Sequence, residues 1–317
     1  MVIGLIGLGR MGQAIAARLL HAGFDVCGYD PYTQVDPHAL HIESDKKNMS
    51  CEHSGEFTQV SSLKECTTDA HIFWLMVPAG KAVDTVIAEL IPLVKKETII
   101  IDGGNSFYQN SVRRHDLLLK HGIAFLDCGT SGGLHGRDDG FSLMIGGDKD
   151  AYARCEPIFK AIAAPGGYAR VGPSGAGHYV KMTHNGIEYA LLQAYAEGFH
   201  LLKDGTYKDL DLEKISEIWN NGSIIRSRIL KLTRDIFAAH TDFDEISGAI
   251  GENKTGLWTV EEAARQGVPV DLIERALAIR GESRVTGGNY ATKLVALLRK
   301  EFGGHPVEYL TRTKEDV

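Results

Sequence analysis

A lysine, a histidine, an asparagine and a glutamate stand at Lys181, His184, Asn185 and Glu188, the i, i+3, i+4 and i+7 positions of a helix. Seven residues at about 100° each return to within roughly 20° of the start, so the four groups share a stripe about 10 Å long. A base, an imidazole, an amide and a carboxyl on one face can converge on one bound molecule, which suits proton transfer. A polar stripe is more often the solvated side of a helix. Here the flanks point the other way. Downstream, Ile187, Ala190, Leu191, Leu192, Ala194 and Ala196 surround the stripe, so the sequence predicts a largely buried helix. Buried Lys and Glu are expensive unless paired or used. Upstream, Gly172, Gly175 and Gly177 form a flexible approach that lets another backbone or a ligand come close.

Short apolar runs alternate with helical patterns over the first 170 or so residues, and these elements must position the stripe. Strands are expected at 2–6, 25–29, 71–77, 98–101, 124–127, 141–145 and 167–171, with helices from about Met11 to Ala22 and from Pro78 to about Leu90. Residues 32–60 lack clear periodicity and read as an excursion with a short helix at most. After Gly177 the patterns are helical to about Lys300, with helix starts at Asp209 or Asp211 and at Asp271. The expected division is 1–175 for a nucleotide-binding α/β domain and 176–317 for an all-helical domain for substrate binding and oligomerisation.

Gly7, Gly9 and Gly12 complete a G-x-G-x-x-G fingerprint, enclosing Arg10 and Met11, directly after a strand and opening a helix. That context makes the motif a dinucleotide site: the glycines permit a tight turn and close approach of a pyrophosphate to the helix N-terminus. Asp30 follows at the end of the second strand, where an acid accepts hydrogen bonds from ribose hydroxyls and repels a 2′-phosphate. NAD is therefore expected over NADP. Two further loops should line the same crevice, Met76-Val77-Pro78 and Asn105 within Asp102-Gly-Gly-Asn105-Ser106, because ligands of such sheets bind beyond the carboxyl ends of strands. The fold class is accordingly a Rossmann-like, doubly wound parallel sheet followed by an all-α domain.

A net charge of −7 argues against nucleic acid or an anionic membrane as the main partner. No run of about 18 apolar residues could span a bilayer, and no secretory leader pattern is read at the N-terminus. Five cysteines without CxxC spacing read as reduced thiols of a cytoplasmic protein, and no metal site is expected.

Taken in order, Gly7-x-Gly9-x-x-Gly12, Asp102-Gly-Gly-Asn105-Ser106, Thr130-Ser131-Gly132-Gly133, Lys181-x-x-His184-Asn185-Gly-Ile-Glu188-Tyr189 and Phe302-Gly-Gly-His305 resemble decarboxylating 6-phosphogluconate dehydrogenase in its short form. The resemblance runs from residue 2 to about 310. It implies oxidative decarboxylation of 6-phosphogluconate to ribulose 5-phosphate and CO2, with hydride transfer to NAD or, less favoured here, NADP, in the pentose phosphate pathway and gluconate utilisation. Lys181 would be the general base on the C3 hydroxyl, and Glu188 would protonate C1 of the enediol. Asn105, Ser131, Gly132, Gly133, His184 and Asn185 would hold the substrate carboxylate and hydroxyls; Tyr189, Thr255 and Arg280 would take its phosphate. Arg299 and His305, in an Arg-x-x-Phe-Gly-x-His tail, would complete a neighbouring subunit's site, implying a homodimer or homotetramer.

Two departures stand out. The family's Lys-Gly-Thr-Gly-x-Trp reads Asn253-Lys254-Thr255-Gly256-Leu257-Trp258, with the lysine moved by one residue. Tyr29-Asp30 replaces the Asn-Arg that many NADP-using members carry. The nearest alternative is a non-decarboxylating β-hydroxyacid dehydrogenase such as 3-hydroxyisobutyrate dehydrogenase, which lacks the histidine and glutamate of the stripe.

Overall fold

The computed structural model describes residues 1–40, 42 and 54–310. Its first part runs β1 (Val2–Ile6), α1 (Arg10–His21), β2 (Asp25–Tyr29), β3 (Phe57–Gln59), α2 (Leu63–Cys66), β4 (Ile72–Leu75), α3 (Lys81–Leu90), β5 (Ile99–Asp102), α4 (Tyr108–Leu119), β6 (Ala124–Ser131), α5 (Gly136–Asp139), β7 (Phe141–Gly147), α6 (Lys149–Ile162) and β8 (Ala163–Gly172). The strands form one sheet in the order β3-β2-β1-β4-β5-β6-β7-β8. The chain winds outward from β1 to β3 and then resumes at β4 on the other side, so the switch point lies between β1 and β4. A crevice for a nucleotide opens there.

Strand β4 is apolar at every position, and β5 at all but its terminal Asp102, because both faces are covered. Trp74, Ile99 and Ile101 join the cluster beneath α1 and α6, whereas Phe73, Leu75 and Ile100 join that containing Val83, Ile87 and Leu118 of α3 and α4. Continuous apolar runs of this kind mark parallel strands packed on both sides.

The sheet is mostly parallel, as expected, and differs from the expectation in its details. One pair, β6 and β7, is antiparallel, with Ser131 opposite Ser142. Strand β6 consequently runs on to Ser131 rather than ending at Asp127, since the short connection to β7 lets pairing continue. The excursion contains a strand, β3, pairing Phe57 with Val26 of β2. Three residues are too few to display a period of two. A short 3-10 helix occupies Pro37–Leu40, and residues 41 and 43–53 of the excursion lie outside the described residues.

The second part is helical: α7 (Ala176–Asp204), α8 (Leu212–Asn220), α9 (Arg228–Ala239), α10 (Thr255–Gln266), α11 (Asp271–Thr286) and α12 (Tyr290–Gly303). Leu192, Ala196 and Phe199 of α7, Leu230 and Ile236 of α9 and Leu294, Val295 and Leu298 of α12 form its core. Asp211, not Asp209, caps α8 by accepting the Lys214 N–H at 2.9 Å. Asp271 is the first residue of α11 rather than its cap.

The chain divides into two compact units, Met1–Met182 and Thr183–Val317, and the division falls inside α7. Lys181 falls in the first unit, and His184, Asn185 and Glu188 in the second. Among the described residues no helix is long and apolar enough to cross a membrane.

Candidate active site

The turn between β1 and α1 shows what each fingerprint glycine does. Gly7 has φ +96°, and a Cβ there would lie 2.5 Å from the Met76 carbonyl oxygen. A Cβ on Gly12 would come within 2.0 Å of the Gly7 carbonyl oxygen. Both positions are closed by the protein's own backbone. A Cβ on Gly9 would meet nothing within 4 Å, and as the N-cap of α1 Gly9 supplies no side-chain acceptor. Open space in front of uncapped helix amides fits the pyrophosphate of a dinucleotide. Arg10 is exposed and Met11 half-buried at this helix start. Asp30 does more than the sequence suggested: its carboxylate accepts the N–H groups of Leu8 (2.7 Å), Tyr32 (2.8 Å) and Thr33 (3.1 Å). It fastens the fingerprint loop to the end of β2.

The two later loops are held by Arg114 of α4, which sequence reading missed. This fully buried guanidinium donates to Asp84 (2.8 Å), Asp102 (3.1 Å), the Ser106 hydroxyl (3.0 Å) and the Gly80 carbonyl (2.9 Å). Asp102 also accepts the Gly104 N–H and the Ser106 hydroxyl. One side chain therefore sets both the loop following Met76, Val77 and Pro78 and the loop that leaves Asn105 exposed. Burial opposes ionisation of Asp84, yet hydrogen bonds from Arg114 and Arg113 hold its carboxyl below the ordinary value.

Lys181 is placed by close approach of α7 to the sheet. A Cβ on Gly129 of β6 would lie 2.3 Å from the Lys181 Cβ, and one on Gly177 would lie 2.4 Å from the carbonyl oxygens of Asp127 and Met144. Only glycine at these positions lets the first turns of α7 sit against β6 and β7. The buried Asp127 carboxylate completes the seat by accepting the N–H groups of Gly175 (2.6 Å) and His178 (2.9 Å), two of the donors a helix start leaves over. Lys181 is 6% exposed. Ser131, Gly132 and Gly133 follow at the end of β6, with Gly132 at φ +136° and Gly133 at φ +58° turning the chain back toward β7.

The second unit contributes a cluster around Tyr189. The Arg280 guanidinium lies over the Tyr189 ring, 3.2 Å from its centroid, and is 2% exposed. Both its terminal nitrogens are buried without a hydrogen-bond partner. Burial pulls its pKa down to about 10, so it stays charged at neutral pH. The Tyr189 hydroxyl donates to Asn253 Oδ1 at 3.0 Å, and the Thr255 hydroxyl donates to the same oxygen at 2.7 Å. Gly256 admits the ring, since a Cβ there would stand 2.4 Å from it. Arg299 on α12 is buried as well, which pulls its pKa down, while the nearby Tyr189 and Glu188 favour its charge. His184 Nδ1 and Asn185 Oδ1 are 3.2 Å apart.

Asn253 was read only as part of a shifted motif, but it is the acceptor that orders Tyr189 and Thr255. Lys254 adopts a left-handed conformation (φ +66°) as the N-cap of α10 and is exposed. The expectation of a largely buried α7 needs correction: Ile187 is 52% and Leu191 45% exposed. These residues form an i, i+4 apolar pair that the chain itself leaves uncovered.

The description of the NAD-binding domain of 6-phosphogluconate dehydrogenase matches residues 2–182, and that of the C-terminal domain of the same enzyme matches 177–312. The chain is 43% identical to the NAD(+)-dependent, decarboxylating 6-phosphogluconate dehydrogenase of Haloferax volcanii, covering 97% of this chain and 98% of that one. It is 38% identical to the decarboxylating enzyme of Schizosaccharomyces pombe over 90% of this chain but only 61% of that longer protein. The solved structure of Plasmodium falciparum 6-phosphogluconate dehydrogenase superposes with a TM-score of 0.77 at 32% identity, covering 90% of this chain and 62% of that one. A relative this similar over nearly its whole length, and two domain models that together span the chain, place the protein in the decarboxylating 6-phosphogluconate dehydrogenase family.

Proposed function

We propose that this chain oxidises and decarboxylates 6-phosphogluconate to ribulose 5-phosphate and CO2, using NAD in preference to NADP. The observation that carries the reading is the Arg280 guanidinium, buried on Tyr189 with both terminal nitrogens unpartnered. A planar fork of donors held out of water is built for a phosphate or carboxylate. Arg299 and Thr255 supply further charge and a hydroxyl for the same phosphate.

A nicotinamide held by the fingerprint loop would supply the acceptor for the hydride that leaves C3. Lys181, seated against Gly129, takes the C3 hydroxyl proton; once protonated it stabilises the enolate oxygen that develops as CO2 leaves. Glu188 delivers a proton to C1 of the enediol. His184, Asn185 and Asn105 hold the substrate carboxylate and hydroxyls, together with Ser131, Gly132 and Gly133 at the end of β6. Preference for NAD rests on Asp30, whose carboxylate three backbone N–H groups hold at the end of β2, beside the ribose position, where a 2′-phosphate would be repelled. The Haloferax volcanii relative is likewise NAD(+)-dependent.

The enzyme works in the cytoplasm as a homo-oligomer. Ile187 and Leu191, together with the fully exposed Ile224 and Leu201 (74%), are the apolar surface that a second copy would cover. The tail is divided in this reading. Arg299 is buried on α12, where Tyr189 and Glu188 of its own chain favour its charge, so in this reading it serves its own site, whereas His305 follows the Gly304 cap and belongs to the neighbour-directed tail.

An assay with 6-phosphogluconate or 3-hydroxyisobutyrate and either NAD or NADP, with CO2 trapped, tests the proposal. NADH and CO2 should form together from 6-phosphogluconate alone. NADH without CO2 would sink it.

A further inference from the structure

Cys27 on β2 and Cys66 at the end of α2 take no part in the chemistry above, yet their sulfurs are 2.6 Å apart. That is roughly half an ångström beyond the bonded distance of about 2.05 Å. Helix α2 lies against β2, and both side chains enter the same apolar cluster, with Cys66 1% exposed and Cys27 half-buried at its edge. The Cys66 sulfur also donates to the Cys27 carbonyl oxygen at 3.2 Å, which holds the two residues together from a second direction. The other described cysteines, Cys128 and Cys155, are buried elsewhere in the sheet layer and have no thiol neighbour.

We propose that Cys27 and Cys66 form a reversible disulfide when the enzyme meets a peroxide. The two residues have separable tasks. Cys27 is the more accessible, and the hydrogen bond from Cys66 holds its thiol below the ordinary value; the same contact, with burial, pushes Cys66 up. The Cys27 thiolate therefore attacks a peroxide oxygen. The O–O bond breaks, hydroxide leaves, and Cys27 becomes a sulfenic acid. The Cys66 sulfur then displaces hydroxide from that sulfenic acid, and the Cys66 proton leaves with it as water. Two thiols are oxidised and one peroxide is reduced to two waters. The bridge closes a ring over residues 27–66, which contains Asp30 and β3 and ties β2 to α2 across the edge of the nucleotide-binding half. A thiol reductant reopens it.

The test uses the full chain, treated with a small molar excess of hydrogen peroxide, quenched, denatured and alkylated. Two of its five cysteines should resist alkylation, and the peptides carrying Cys27 and Cys66 should appear joined, two hydrogens lighter than their sum. Dithiothreitol should restore five reactive thiols. In Cys66→Ser, the Cys27 sulfenic acid should persist long enough to be captured by dimedone; in Cys27→Ser, neither adduct nor bridge should form. Oxidised wild type should also melt several degrees higher than reduced wild type, a shift absent from both variants, because the ring restrains the unfolded chain. Five alkylated cysteines after peroxide, or Cys27 joined to Cys51 or Cys155 instead, would overturn the proposal.

Discussion

A guanidinium stacked on an aromatic ring with its end nitrogens unpartnered carries donors that a bound anion would satisfy. Arg280 meets that description, and its loss should be felt in substrate affinity. Charge-assisted hydrogen bonds contribute about 1.5–3 kcal/mol each, and about 1.4 kcal/mol is a tenfold change. Arg280→Lys keeps the charge but not the fork, so KM for 6-phosphogluconate should rise about 10- to 100-fold with kcat changed far less. Steady-state kinetics decide it: a fall in kcat at constant KM would remove Arg280 from ground-state binding. Asp30 illustrates a second point at this scale. Its type and position forecast contact with ribose, but its three backbone hydrogen bonds appear only in the folded chain. The donors come from the turn after β1 and from Tyr32 and Thr33, segments that pattern reading does not bring together.

The seat of α7 is a property of elements. Periodicity made the helix legible, and Gly172 to Gly177 forecast a close approach, without saying to what. Folding supplies the partners: Gly129 of β6 beneath Lys181, and Asp127 at the helix start. Gly129→Ala inserts a methyl group 2.3 Å from the Lys181 Cβ. Overpacking of this kind costs about 1–3 kcal/mol, and the helix must shift to relieve it. Urea denaturation should show that loss, and kcat should fall at least tenfold, since in the proposed mechanism Lys181 is the general base and a displacement of about 1 Å is enough to slow proton transfer. A folded variant of wild-type kcat would show that Lys181 does not depend on this contact.

At the scale of the whole molecule, the Asp84–Arg114–Asp102 chain joins α3, α4 and β5. Because the Asp84 carboxyl is held below its ordinary value in the fold, it stabilises the protein above its unfolded pKa, about 3.9. That contribution is lost as pH falls through the lower folded value. Asp84→Asn should therefore be less stable than wild type at pH 7, with the gap closing as the pH is taken below 4, measured by thermal melts across that range. A gap that widens in acid would contradict the assignment. The proposed oligomer yields a separate prediction. Co-expressed Lys181→Met and Arg299→Ala chains should show only the summed activity of the two separate variants, because in the proposed arrangement each site draws Arg299 from its own chain. Recovery of wild-type-like affinity in a fraction of the mixed sites would place Arg299 in the neighbour's site.

Local signals were enough for much of this protein. A strand followed by G-x-G-x-x-G, an acid at the next strand end and a polar stripe at helical spacing are each written within about thirty consecutive residues, so they could be read from order alone. So could the two-part architecture, because strand and helix periods change abruptly after Gly177. Long-range pairing was not legible: β3 is three residues long, and the antiparallel turn from β6 to β7 depends on a register that nothing local specifies. Arg114, Asp127 and Asn253 also escaped notice, since each acts by joining segments distant in the chain, and an isolated buried arginine or aspartate has no spacing to betray it. The exposed Ile187 and Leu191 show the same limit in reverse. Sequence can say that a helix face is apolar, but only the tertiary structure decides whether the chain itself covers that face or leaves it for another copy.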